Sequence, residues 1–69
     1  MTYKITLLPD GTPNVEVCEA SEIPVRNPDY DVEAAAGGAL LPQLASLRMR
    51  TTSSTVFARV HDGVILVWE

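Results

Sequence analysis

The sequence predicts a small α+β domain of order ββαββ, in which a mostly antiparallel four-stranded sheet carries a broken helix, about residues 31–50, on one face. Apolar and polar residues alternate near the start of the chain and again near its end, as they do in half-buried strands. Helix-forming residues are concentrated between these two regions. With 69 residues, the chain is expected to form a single domain over residues 1–69.

The first hairpin is predicted over residues 3–18. Apolar and polar side chains alternate over residues 3–7, turn-forming residues follow over residues 9–13, and a second alternation comes after them. Proline has no N–H to donate to a strand ladder, so the two prolines of the turn place the strand ends near Leu8 and Asn14.

Residues 19–30 are predicted to form an ordered loop, because they are rich in proline and acidic residues. Ile23 and Val25, on either side of Pro24, are the sizeable aliphatic residues of this loop. A residue that precedes proline favours extended geometry. Residues 23–25 are therefore predicted to be either a short edge strand or an extended crossing segment.

Helical structure is predicted from Asp31, with Asp29 and Asp31 as candidate caps and the alanines at 34–36 as strong helix formers. A straight helix is opposed by Gly37-Gly38 and by Pro42, which removes an interior hydrogen bond. Two helical pieces are expected, with Pro42 in the first turn of the second. The glycine pair is interpreted as a helix C-cap and chain reversal in preference to a hinge or a ligand contact.

Two arginines, Arg48 and Arg50, stand at the predicted end of the helix beside a run of threonine and serine. A phosphate site and a helix terminus are both consistent with this pattern. We favour the terminus, where basic side chains complement the negative end of the helix dipole.

The clearest turn signal is Asp62-Gly63 between Val60-His61 and Val64-Ile65, since a type I′ turn needs positive φ at both central residues. A two-residue loop pairs His61 with Val64 and places the side chains of both strands alternately on two faces. One face, suited to cover the helix, carries Val56, Ala58, Val60, Ile65 and Val67. The other carries Phe57, Arg59, His61, Val64, Leu66 and Trp68.

The second of these faces holds an apolar patch of a kind that monomers seldom expose. One helical layer covers only one face of a sheet, so the second face is predicted to pack against another chain. Trp68 is expected to pair with Phe57 across the hairpin and to anchor this interface. The predicted interface residues are Phe57, Arg59, Val64, Leu66 and Trp68.

The sequence contains no constellation that predicts catalysis, and we assign no catalytic residue, cofactor or metal. One cysteine, Cys18, and one histidine, His61, supply neither an internal disulfide nor the ligands of a structural zinc site. Gly37-Gly38 lacks the further glycine and the Lys-Ser/Thr ending of a phosphate-binding loop.

Residues 3–7 and the stretch from Tyr30 to Pro42 resemble parts of the β-grasp frame of plant-type [2Fe–2S] ferredoxins. The resemblance implies cluster-binding cysteines between Leu44 and Thr55 of this chain, but this region contains no cysteine. An iron–sulfur role is therefore excluded, and we do not assign the chain to that family. A β-grasp-like ββαββ topology is one outcome that the sequence allows.

Nine acidic residues against five basic ones give a net charge of −4, which opposes general affinity for nucleic acid. The acidic surface is predicted to comprise Glu16, Glu19, Glu22, Asp29, Asp31 and Glu33. It is interpreted as a solvated segment, with mimicry of nucleic acid as the alternative. No secretory signal or membrane-spanning run is visible, so a cytoplasmic protein is expected.

Two classes of function follow from this profile. The first is a non-enzymatic protein-binding module, a small accessory subunit or an inhibitor that occupies a partner surface, with homo-oligomers or a larger assembly as its partners. This profile is typical of short proteins encoded by phages or mobile elements. The second is a minimal ligand-binding or enzymatic domain whose pocket forms only between the chains of an oligomer.

Overall fold

The computed structural model, which describes residues 1–69, consists of one antiparallel sheet and one α-helix packed on one of its faces. The elements in chain order are β1 (Thr2–Leu7), β2 (Pro13–Val17), β3 (Tyr30–Glu33), α1 (Leu40–Met49), β4 (Val56–His61) and β5 (Val64–Trp68). Short 3₁₀ turns lie at Ala20–Glu22 and Gly37–Ala39. None of the helices has the length and apolar character needed to cross a lipid bilayer.

The strands lie in the order β2-β1-β4-β5-β3, and every neighbouring pair is antiparallel. Both predicted hairpins are present. In the second hairpin His61 is paired with Val64 and Phe57 with Trp68, which is the predicted register. Asp62 and Gly63 have φ values of 51° and 75°, so both central residues adopt the positive φ of a type I′ turn.

The predicted four-stranded sheet and ββαββ order are wrong, because β3 adds a fifth strand at one edge of the sheet. Residues 31–33 were expected to begin the helix, and Tyr30 to end the loop before it. Instead, Tyr30 pairs with Val67 and Val32 pairs with Ile65, so both side chains face the core. Tyr30 and Val32 alternate with the exposed Asp31 at a period of two, which is the pattern of a strand. Burial of these aromatic and β-branched side chains outweighs the local signal for a helix cap.

Helix α1 is shorter than the predicted helical region and is a single α-helix. Gly37-Gly38 does not cap a preceding helix but forms the 3₁₀ turn that leads into α1, and the alanine at 36 is extended. Gly37 has a φ of 55°, which a residue with a Cβ rarely adopts. Pro42 lies in the first turn of α1, as predicted, where its missing N–H has no intrahelical partner to lose.

The core lies between α1 and the facing side of the sheet. Its buried apolar residues are Tyr3, Ile5, Leu44, Leu47, Val56, Ala58, Ile65 and Val67. The four members from β4 and β5 belong to the face that the sequence assigned to the helix. Each is completely removed from solvent, so this face of the last hairpin is the centre of the domain.

Candidate functional site

The sheet has a second face, opposite α1, which we call the back face. Strand register fixes its rows of side chains. Side by side in one row are Glu16, Lys4, Phe57 and Trp68. The next row holds Thr2, Arg59, Leu66 and Asp31, and a third row at the end of the sheet holds His61, Val64 and Glu33.

Part of the back face is covered by the chain itself, through residues 18–29, which we call the covering loop. The indole Nε1 of Trp68 donates a hydrogen bond of 2.9 Å to the main-chain oxygen of Arg26 in this loop. The carboxylate of Glu22 lies 4.0 Å from the Lys4 ammonium on the same face. Trp68 is consequently only 5% exposed, although it lies on the face that α1 does not cover.

A clamp at the end of the covering loop attaches it to the end of β5. Asp29 Oδ1 accepts a hydrogen bond of 2.7 Å from Arg26 Nη1, and its Oδ2 accepts one of 2.7 Å from the Glu69 main-chain N–H. Arg26 Nη2 also donates to the main-chain oxygen of Glu69 at 2.9 Å. The bond from Glu69 and then that from Arg26 hold the pKa of the Asp29 carboxyl below its ordinary value.

The clamp has a neighbour in Tyr30, whose hydroxyl donates to the Glu69 carboxylate at 3.1 Å. Partial burial of the phenol raises the pKa of Tyr30, and its bond to Glu69 acts in the same direction. The phenol therefore stays neutral and remains a donor to Glu69 through the physiological range.

Four neighbouring side chains of the back face outside this cover, Phe57, Arg59, Val64 and Leu66, form what we call the uncovered patch. Arg59 is exposed, Val64 is 37% exposed, and the other two side chains are half-buried. Arg59 lies directly across the strands from Leu66. The patch therefore combines apolar area with one cation on a rigid, hydrogen-bonded part of the sheet.

All five residues that the sequence predicted for an interface lie on this one face, but they do not share one environment. Trp68 is buried under the covering loop, whereas the four residues of the uncovered patch reach solvent. Binding of a partner by any of them stays a prediction. Sequence reasoning missed Arg26 and Asp29 as the clamp, and the available signal was the pairing of opposite charges within a proline-rich loop.

The six predicted acidic residues do not form one continuous surface. Glu16 lies on the edge strand β2, while Asp31 and Glu33 lie on the opposite edge strand β3. The remaining carboxylates belong to the covering loop, where Glu22 Oε2 accepts a bond of 3.1 Å from the Glu19 N–H and Asp29 forms the clamp. Mimicry of nucleic acid by this set stays a hypothesis.

Other reactive side chains lie apart from one another. Burial raises the pKa of the Cys18 thiol, which keeps it protonated and weakly nucleophilic. His61 Nε2 lies 3.1 Å from Asp62 Oδ2, a contact that alternation along a strand does not predict and that arises because Asp62 is in the turn. Both side chains are largely exposed.

Arg48 was predicted to lie at the helix terminus, and it does lie in the last turn of α1, but it is only 6% exposed. Its Nη1 donates to the main-chain oxygen of Thr51 at 3.2 Å, while its buried Nε has no hydrogen-bond partner. Arg50 at the C-cap is exposed.

No group of three or more His, Cys, Asp and Glu side chains is placed to hold a metal ion. Comparison of the chain with protein-family models, with curated proteins and with solved structures finds no match.

Proposed function

We propose that this protein is a non-enzymatic binding module, a small accessory subunit or an inhibitor, that docks on a protein partner through the uncovered patch. The observation that carries the proposal is the placement of Phe57, Arg59, Val64 and Leu66 on adjacent positions of β4 and β5. The two strands that present them are among the most firmly packed of the domain, since their other face is the core. A partner therefore meets a surface that is already ordered, which lowers the entropic cost of binding.

The chemistry of the patch suits a protein partner. Aromatic residues and arginine are enriched at the centre of protein interfaces, where they combine apolar area with a polar group. Asp31 and Glu33 border the patch on β3 and are exposed, so they are positioned to select basic residues at the rim of a partner. Trp68 supports the patch from beneath the covering loop, beside Phe57.

The experiment compares two surface variants with matched controls. Val64→Lys and Arg59→Glu change the patch, while Val25→Lys and Arg50→Glu make the same substitutions at exposed positions of the covering loop and the C-cap of α1. Tagged wild-type protein is used to isolate a partner from the native host, and the purified partner is then titrated with each variant by calorimetry.

The two patch variants are expected to weaken the complex at least tenfold, or about 1.4 kcal/mol each, because each places a mismatched charge or a hydrated group at a position that the complex would bury. The controls are expected to bind as the wild type does, and all four proteins to retain the wild-type circular dichroism spectrum. Equal binding by patch variants and controls contradicts the proposal. Retention of a small molecule by a purified oligomer, with no heteromeric partner, favours instead a domain that binds ligands between chains.

A further inference from the structure

The two edge strands of the sheet differ in whether a side chain forms hydrogen bonds with their outer backbone groups. On β3, Gln43 of α1 reaches the edge: its Nε2 donates to the Glu33 main-chain oxygen at 2.8 Å, and its Oε1 accepts from the Ala35 N–H at 2.7 Å. The strand also has only four residues, two of which are acidic. Short length, charge and a covering side chain are the devices that keep an edge strand from pairing with another chain.

No side chain is bonded to the outer backbone groups of the edge at β2, which is one residue longer and carries one acidic residue, Glu16. The β1–β2 ladder ends on one side with a hydrogen bond from the Cys18 N–H to the Thr2 oxygen. On the other side it ends with a bond from the Leu8 N–H to the Thr12 oxygen. Even-numbered residues of β2 therefore direct their backbone groups toward β1. It follows that the N–H and C=O groups of Val15 and Val17, and the C=O of Pro13, point outward from the sheet.

Apolar side chains border this open edge on the side of α1. Val17 is 64% exposed. Gln43 reaches toward β3, so the flank of α1 on the other side of the helix, which carries Leu41 and the half-buried Ala45, is turned toward β2. Leu41 is exposed as well. The edge thus offers both unpaired backbone groups and apolar area.

We propose that β2 pairs with β2 of a second copy of this chain, antiparallel about a two-fold axis at Val15. In this register the Val15 N–H of each copy donates to the Val15 oxygen of the other, and the Val17 N–H donates to the Pro13 oxygen. On the back face, Asn14 stands opposite Glu16 of the second copy, where an amide N–H meets a carboxylate. The side chain of Asn14 already donates to Glu16 within its own strand at 2.8 Å, so the two groups are matched in reach.

The two neighbouring registers are less favourable, one because of its charges and the other because of its hydrogen bonds. Centring the axis on Glu16 sets two carboxylates directly opposite each other, which destabilises a strand pair. Centring it on Asn14 sets Val15 opposite Pro13, which has no N–H to return, so the outward groups of β2 form two bonds, against four in the register at Val15. The register at Val15 sets no like charges opposite each other, and its central pair, Val15 with Val15, exchanges two bonds in addition to the bonds from Val17. The edge is therefore most complementary to itself in this register, as a two-fold interface requires.

The test measures self-association by sedimentation equilibrium from about 1 µM to about 1 mM, with a dissociation constant of roughly 1–100 µM expected for so short a strand pair. Asn14→Glu places like charges opposite each other and is expected to weaken the dimer at least tenfold, whereas Asn14→Lys faces Glu16 and strengthens it. Asn27→Glu, in the exposed covering loop, is the charge-matched control and leaves association unchanged. Val17→Lys, which weakens association, is compared with Val25→Lys in the same way.

Salt supplies an independent readout, because each copy carries a net charge of −4. Screening of this repulsion is expected to strengthen the dimer between about 0.02 M and 0.5 M salt. A monomer at every concentration, or a dimer on which Asn14→Glu and Asn14→Lys act alike, overturns the proposal. The β2 edge is separate from the uncovered patch on β4 and β5. Failure of the predicted dimer therefore does not count against partner binding by the patch, and the reverse also holds.

Discussion

The indole N–H of Trp68 donates to the main-chain oxygen of Arg26, and this bond joins the last strand to a loop that lies 42 residues earlier in the chain. Because Trp68 is 5% exposed within a single chain, its first role is to stabilise that chain. Trp68→Ala is expected to lower the free energy of unfolding by about 3–5 kcal/mol, measured by urea denaturation followed by circular dichroism. For a domain of this size such a loss lowers the melting temperature by well over ten degrees.

Two further variants test this prediction, one with a smaller aromatic side chain at position 68 and one at an exposed control position. Trp68→Phe retains an aromatic ring but is smaller and leaves the Arg26 oxygen without its donor, so a loss of about 1–3 kcal/mol is expected, smaller than that of Trp68→Ala. Val25→Ala, at a fully exposed position of the same loop, serves as the control and changes stability by less than about 0.5 kcal/mol. An unchanged unfolding curve for Trp68→Ala contradicts the burial of this side chain.

The clamp formed by Asp29 predicts a dependence of the covering loop on pH. Hydrogen bonds from Glu69 and Arg26 lower the pKa of Asp29 below its ordinary value of 3.8. Since the folded pKa is depressed, the stabilisation is fully present above pH 3.8 and is lost as the pH falls through the folded pKa. The Trp68 indole N–H resonance, followed by NMR, is expected to shift only below that value as the loop loosens.

Two substitutions assign this transition to one carboxyl. Asp29→Asn removes the ion pair with Arg26 and is expected to give the loosened indole resonance already at neutral pH. The Asp10 carboxyl, whose pKa is lowered by a bond from the Thr12 N–H, also titrates in the acid range. Asp10→Asn is therefore the control, and it should leave the indole titration intact. If the resonance of Asp29→Asn follows the wild-type titration, the clamp is not the cause.

The last hairpin was predictable to the residue because its register depends on two adjacent positions. Asp62-Gly63 allows the positive φ that a two-residue turn requires, and every pair from His61–Val64 to Phe57–Trp68 then follows by counting. The division of the side chains between two faces follows from the same count. The placement of the patch residues on one face was predictable in this way, because the turn residues set the register of the hairpin.

Strand β3 and the covering loop were not predictable by the same means. In residues 29–36 the capping aspartates and alanines indicate a helix, while Tyr30 and Val32 indicate a strand, and only the free place beside β5 decides between them. The cover over Trp68 depends on a contact with Arg26 that no periodicity of the sequence encodes. In both cases tertiary burial outweighs local preference.

The last prediction concerns Gln43, whose side chain bonds to the backbone at the β3 edge of the sheet. Its amide bonds to both the Glu33 oxygen and the part-buried Ala35 N–H. Gln43→Ala leaves the Ala35 N–H without a partner, whereas water replaces the bond to the exposed Glu33 oxygen. A loss of about 1–3 kcal/mol in the free energy of unfolding is expected, together with faster amide hydrogen exchange at Val32. Ser46→Ala, which removes an exposed hydroxyl bonded to the Pro42 oxygen on the same helix, should leave both measurements unchanged. If the two variants behave alike, the edge at β3 is held by its ladder to β5 alone, and the contrast between the two sheet edges disappears.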